Sequence, residues 1–114
     1  MKLSKIADIC KLERIVFSAD DEINSGYCGD LMSDVMANSE SNSIWVTIQA
    51  HKNSIAVALI KDIKAILFTN NVSISREVIE KAEEEKINIF RTTKNSFTIS
   101  GEIYKIMEEK TAKD

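Results

Sequence analysis

The sequence predicts an α/β fold, a single domain with a mostly parallel central sheet and flanking helices. Two observations predict it. From about residue 44 onward, short β-branched and aromatic runs alternate with helical segments, giving strand then helix three times over. Such alternation implies parallel strands joined by right-handed crossovers, with helices packed on the sheet. The chain also has 114 residues, of which 44% are hydrophobic and 29% charged, the size and composition of one ordinary globular domain.

Taken in order, residues 3–12 read as a helix, with Ser4 as N-cap and Ile6, Ile9 and Cys10 as its apolar stripe. Arg14-Ile15-Val16-Phe17-Ser18 is a short strand, followed by the acidic turn Asp20-Asp21-Glu22, read as a solvated loop in preference to a cation site. Next come Gly26 and Gly29, three residues apart, where the backbone is free to turn or to approach a ligand closely. Asp30 follows as the cap of a short helix whose apolar face is Leu31, Met32, Val35 and Met36. A small-residue loop entering a helix N-terminus gathers free N–H groups and suits an anion or phosphate.

Ile44-Trp45-Val46-Thr47-Ile48 is a strand by its β-branched and aromatic content. Residues 54–63 fit strand or helix by pattern alone; the alanines and a cap at Asn53 favour helix. Lys64 to Phe68 is the next strand, and Ser75 caps an amphipathic helix reaching about Lys86, with Val78, Ile79 and Ala82 inward. Asn88 to Arg91 is a strand, and a last helix from about Ser96 to Glu109 carries the stripe Ile99, Ile103, Ile106 and Met107. The domain is thus expected over residues 1–110, with a frayed tail over 111–114.

Ligands in parallel α/β sheets collect beyond the carboxyl ends of the strands. The polar segments Gln49 to Asn53, Thr69 to Asn71 and Thr92 to Asn95 fall there. With the glycine stretch on the same rim, they would form one polar crevice. His51 is the only histidine and reads as a structural or binding residue. Cys10 reads as a buried thiol and Cys28 as a packed one rather than a nucleophile. The spacing matches neither a P-loop nor a dinucleotide fingerprint, and no catalytic or metal-ligating motif stands out. No cofactor is implied.

A net charge of -3 and a pI near 5.2 argue against nucleic acid as the main partner. The longest apolar run, Ile55 to Ile60, is too short to span a bilayer, and the first residues lack the apolar core of a signal peptide. A cytoplasmic protein is expected.

The segment Gly26-Tyr27-Cys28-Gly29-Asp30-Leu31-Met32-Ser33-Asp34-Val35-Met36-Ala37, followed by Trp45-Val46-Thr47-Ile48-Gln49-Ala50-His51, resembles the bacterial DRTGG domain family. The likeness continues through Asn53 to Ile66 and Glu83 to Ile87, and is greatest to stand-alone, single-domain members. The name-giving Asp-Arg-Thr-Gly-Gly segment would align with Glu22 to Tyr27. There the Arg is absent, Ser25 stands for Thr and Tyr27 for the second Gly. The resemblance implies a non-catalytic regulatory or ligand-sensing module that self-associates as a homodimer. It further implies a nucleotide or other phosphorylated small molecule as ligand, with Ser25, Gly26, Gly29, Asp30, Gln49, His51 and Asn53 as binding residues. The alternative is a protein–protein interaction subunit that dimerises without a ligand. An enzyme using His51, Asp30 or Cys28 would require those side chains to converge in a cleft.

Overall fold

Five strands form one sheet in the order β1-β5-β4-β3-β2. They are β1 (Glu13–Val16), β2 (Ser25–Cys28), β3 (Ser43–Thr47), β4 (Ala65–Phe68) and β5 (Asn88–Arg91). Strands β2 to β5 are mutually parallel, and only β1 runs antiparallel, against β5. The computed structural model describes residues 1–113, with the side chains of residues 1–110. The expected tail at 111–114 has no described side chain, and Asp114 lies outside the described residues altogether.

The helices are α1 (Leu3–Cys10), α2 (Met32–Asn38), α3 (Lys52–Lys61), α4 (Arg76–Glu85) and α5 (Ser96–Lys113). Strand order advances by one neighbour at each crossover, so right-handed connections place α2, α3 and α4 on one face. There Val35, Ile55, Ala58, Val78 and Ala82 pack on Trp45, Ile66, Phe68 and Ile89. The other face takes α1 and α5, whose Leu3, Ile6, Ile99 and Ile103 cover Ile44, Val46, Leu67 and Phe90. A sheet covered on both faces needs strands that are apolar throughout, and β3 and β4 are buried at every position.

Helices α1, α3 and α4 share one ending. Lys11, Asp62 and Lys86 adopt left-handed backbone, with φ of 54°, 55° and 59°. The next residue then donates back into the helix: Leu12 to Ala7, Ile63 to Ala58 and Ile87 to Ala82, each at 2.9 Å. Leu12, Ile63 and Ile87 are buried, which completes the hydrophobic contact typical of this stop signal.

Several local expectations are corrected. The glycine stretch is a strand: Ser25 to Cys28 pair in parallel with Ser43 to Val46, and no glycine has positive φ. Asp30 does not cap α2, whose N-cap position is Leu31, and Leu31 is exposed rather than inward. Ser4 does not cap α1; it lies inside the helix, and Asp20 accepts from its N–H at 2.8 Å and its hydroxyl at 2.7 Å. Ile9 is half exposed, outside the stripe that Ile6 and Cys10 share with Leu3 and Ala7. The cap of α3 is His51, not Asn53. Ser75 caps α4 as expected, accepting from Val78 N–H at 3.3 Å.

Candidate functional site

The residues singled out from the sequence lie along β2 and the carboxyl rim of the sheet, and most are engaged locally. Asp30 accepts from Thr47 Oγ1 at 2.8 Å and from Ile48 N–H at 3.0 Å, so it closes the end of β3. Gly29 offers its carbonyl to the indole N–H of the fully buried Trp45 at 2.8 Å, tying the turn after β2 to the core. His51 Nδ1 accepts from Asn53 N–H at 3.0 Å, an N-cap that satisfies one free donor of α3. The Gln49 carbonyl accepts from the buried Ser54 hydroxyl. On the same rim the Thr69–Asn71 and Thr92–Asn95 loops bind each other, through Asn70 N–H to Lys94 O at 2.9 Å and Asn71 N–H to Thr92 O at 2.8 Å. The polar segments do gather at the strand ends, and their backbone groups and short side chains are largely spent on one another.

The open space lies beside this rim. Between α5 and the β2–β3 strands runs a groove of about 450 Å³. Gly26, Cys28, Ile44 and Val46 form its floor, and Ser96, Phe97, Ser100, Gly101, Ile103, Tyr104 and Met107 its wall. Two glycines border it, Gly26 on the floor and Gly101 on the wall. At Gly26 a side chain would project into the groove, with its first carbon at an ordinary 3.5 Å from the Ile44 carbonyl. At Gly101 nothing lies within 4 Å of where a side chain would start. Both have backbone that any residue adopts, so the effect of Gly26 on the groove is one of volume.

The groove contains no Lys, Arg, Asp or Glu, in a chain where such residues are 29% of the total. Its polar groups are the hydroxyls of Ser96 and Tyr104, the Cys28 thiol and edge backbone. Ser96 Oγ meets Thr69 Oγ1 at 3.1 Å, whereas Ser100 Oγ is buried behind the lining with no hydrogen-bond partner. At the groove's rim end α5 begins, with Asn95 accepting from Thr98 N–H at 2.9 Å and Lys94 paired to Glu102 at 2.6 Å. On the opposite face of β2, the Tyr27 hydroxyl donates to Asp34 at 2.6 Å, and Asn38 donates to the other Asp34 oxygen at 2.8 Å. Those two bonds hold the Asp34 carboxyl below its ordinary pKa, and the Tyr27 hydroxyl is raised by the same contact. Burial, chiefly, raises the Cys10 thiol, while Cys28 is exposed.

Of the seven residues expected to bind a ligand, only Gly26 lines the groove, where Cys28 joins it; Ser25, Gly29, Asp30, Gln49, His51 and Asn53 do not. The α5 wall was missed. Its signal was a glycine in a helix interior, Gly101, flanked by Phe97 and Tyr104 off the Ile99–Ile103–Ile106 stripe. Among the described residues no cluster of His, Cys, Asp and Glu could hold a metal ion, and no helix is long and apolar enough to cross a membrane.

A sheet of four sequential parallel strands and one antiparallel edge strand, covered by helices on both faces, defines a small α/β domain. The sequence pattern of the DRTGG domain matches residues 28–106, and the chain belongs to that family. No curated protein matches it by sequence. In fold it is similar to the CBS and DRTGG domains of the regulatory region of Clostridium perfringens pyrophosphatase, solved with its activator, diadenosine tetraphosphate. The TM-score is 0.70 at 19% identity, covering 89% of this chain and 45% of that one. The chain therefore spans less than half the length of that regulatory region.

Proposed function

We propose that this chain is a non-catalytic, cytoplasmic regulatory module that senses a small molecule and works as a homodimer. The observation that carries the reading is the α5 groove. Its volume lies within the ~300–1,000 Å³ typical of small-molecule sites, and such sites are mostly apolar with a few polar groups that fix orientation. The ligand class that fits is a nucleotide or a similar phosphorylated molecule with a flat, uncharged part. That part lies between the β2–β3 floor and the aromatic wall. The charged part stays outside, towards the first turn of α5, where N–H groups and the helix dipole favour an anion. Family membership supports a regulatory role, and the activator of the clostridial relative is itself a nucleotide.

The lack of charge in the groove also favours a second reading, a dimerisation subunit with no small-molecule ligand. A thermal-shift screen against mono- and dinucleotides separates the two. Binding to the native state raises its stability by mass action, so a ligand held at a hundred times its Kd adds about 2.7 kcal/mol. A concentration-dependent rise in Tm is the expected result. A flat screen on a dimeric protein would sink the sensor reading and leave the subunit.

A further inference from the structure

The two edges of the sheet are built differently. Strand β1 carries charges at Glu13 and Arg14 and a bulge between Arg14 and Val16, devices that discourage another strand from pairing. Strand β2 has neither: its sequence is Ser-Gly-Tyr-Cys, and its pairing with β3 is regular throughout. Gly29 N–H donates to Val46 O at 3.1 Å in that ladder. By the alternation of a parallel ladder, Ser25 and Tyr27 therefore bond towards β3. The N–H and C=O of Gly26 and Cys28 face the open edge. Beside this edge stand Phe97 and Tyr104 of α5, 90% and 68% exposed.

The geometry points to β2 as the contact between two copies of this chain, paired antiparallel across a two-fold axis at Tyr27. This inference rests on the homodimer proposed above and specifies its interface. Two copies related by a two-fold axis across this edge run antiparallel. Only outward-facing residues exchange hydrogen bonds, so Gly26 meets the partner copy at Cys28 and Cys28 meets it at Gly26. That register satisfies all four open backbone groups of each strand and sets Tyr27 beside its own copy in a non-hydrogen-bonded pair. Charge favours a second copy over a charged partner. Strand β2 and the groove beside it hold no Lys, Arg, Asp or Glu, which gives an ionic partner nothing to bind on that face, and the nearby Asp34 carboxylate is already engaged by Tyr27 and Asn38 of its own chain. The pairing joins the two five-stranded sheets into one. It also brings the two α5 grooves to either side of the axis over a continuous floor, which places the proposed ligand next to the interface.

The test combines sizing with crosslinking. In a non-hydrogen-bonded antiparallel pair the facing Cβ atoms lie ~4.5–5.5 Å apart, within reach of a disulfide after small adjustment. Tyr27→Cys in a Cys10→Ser, Cys28→Ser background is expected to run as a covalent dimer after mild oxidation, whereas Ser33→Cys in the same background stays monomeric on a denaturing gel. Because Tyr27→Cys also removes the bond to Asp34, a second variant checks the same edge. Gly26→Pro deletes only an outward N–H, which an edge strand tolerates. It is expected to keep the wild-type circular dichroism spectrum while weakening dimerisation ~10-fold or more. A dimer that neither crosslinks at Tyr27→Cys nor weakens with a folded Gly26→Pro would overturn this interface and leave the homodimer standing. A wild-type chain that stays monomeric on sizing at high concentration would overturn both.

Discussion

Asn88 shows what one residue contributes here. Its side chain is fully buried at the start of β5. Its Oδ1 accepts from Ser18 N–H at 2.7 Å and Ala19 N–H at 3.2 Å, and its Nδ2 donates to the carbonyls of Ala19 and Lys64 and to Asp21. One amide thus fastens the chain after β1 to the sheet. Asn88→Ala leaves several of these partners unsatisfied and is expected to lower unfolding stability by ~2–4 kcal/mol, measured by urea denaturation. Exposed carboxylates act through pH. Asp20 is held below its ordinary pKa by the Ser4 hydroxyl and N–H, Asp34 by Tyr27 and Asn38, and Glu13 by Arg91. A depressed carboxylate contributes stability that is present above its unfolded pKa and is lost as pH falls through its folded one. Stability is therefore expected to fall as pH drops through and below the ordinary carboxylate range. In Asp20→Asn that fall is shallower, as acid titration followed by circular dichroism will show.

At the scale of elements, the three left-handed helix ends stand out because none uses glycine. Lys11, Asp62 and Lys86 each hold a conformation that costs a side-chain-bearing residue ~1 kcal/mol or more. Lys86→Gly is expected to gain ~0.5–1 kcal/mol in chemical denaturation, because the position is exposed and the stop signal is made by the backbone. The strands β3, β4 and β5 were legible in the sequence, because buried parallel strands require unbroken apolar, β-branched runs and Trp45 to Thr47, Ala65 to Phe68 and Ile89-Phe90 supply them. Strand β2 was not. Ser-Gly-Tyr-Cys has the composition of a loop, and it becomes a strand because β3 offers it a free ladder and Trp45 fastens the turn behind it. Asp30 and His51 were legible as polar residues at strand ends. Their hydrogen bonds to Ile48 N–H and Asn53 N–H depend on backbone positions that no side-chain pattern reveals.

For the whole molecule, the candidate site arises from long-range packing. Its floor comes from residues 26–46 and its wall from residues 96–107, so no local motif announces it. Gly26 and Gly101 border one groove only because α5 crosses back over β2 and β3. Filling the groove is thus the cleanest perturbation. Gly26→Leu places a side chain on the groove floor, its first carbon at an ordinary 3.5 Å from the Ile44 carbonyl, and leaves the buried Ile99 and Ile103 in place. The measurement that tests the central claim most directly is a nucleotide titration by thermal shift on wild type and Gly26→Leu in parallel. A saturable rise in Tm for wild type, lost in a variant with an unchanged circular dichroism spectrum, is the predicted result. No rise with any nucleotide, or a rise of equal size in both proteins, would contradict a ligand-sensing groove under α5.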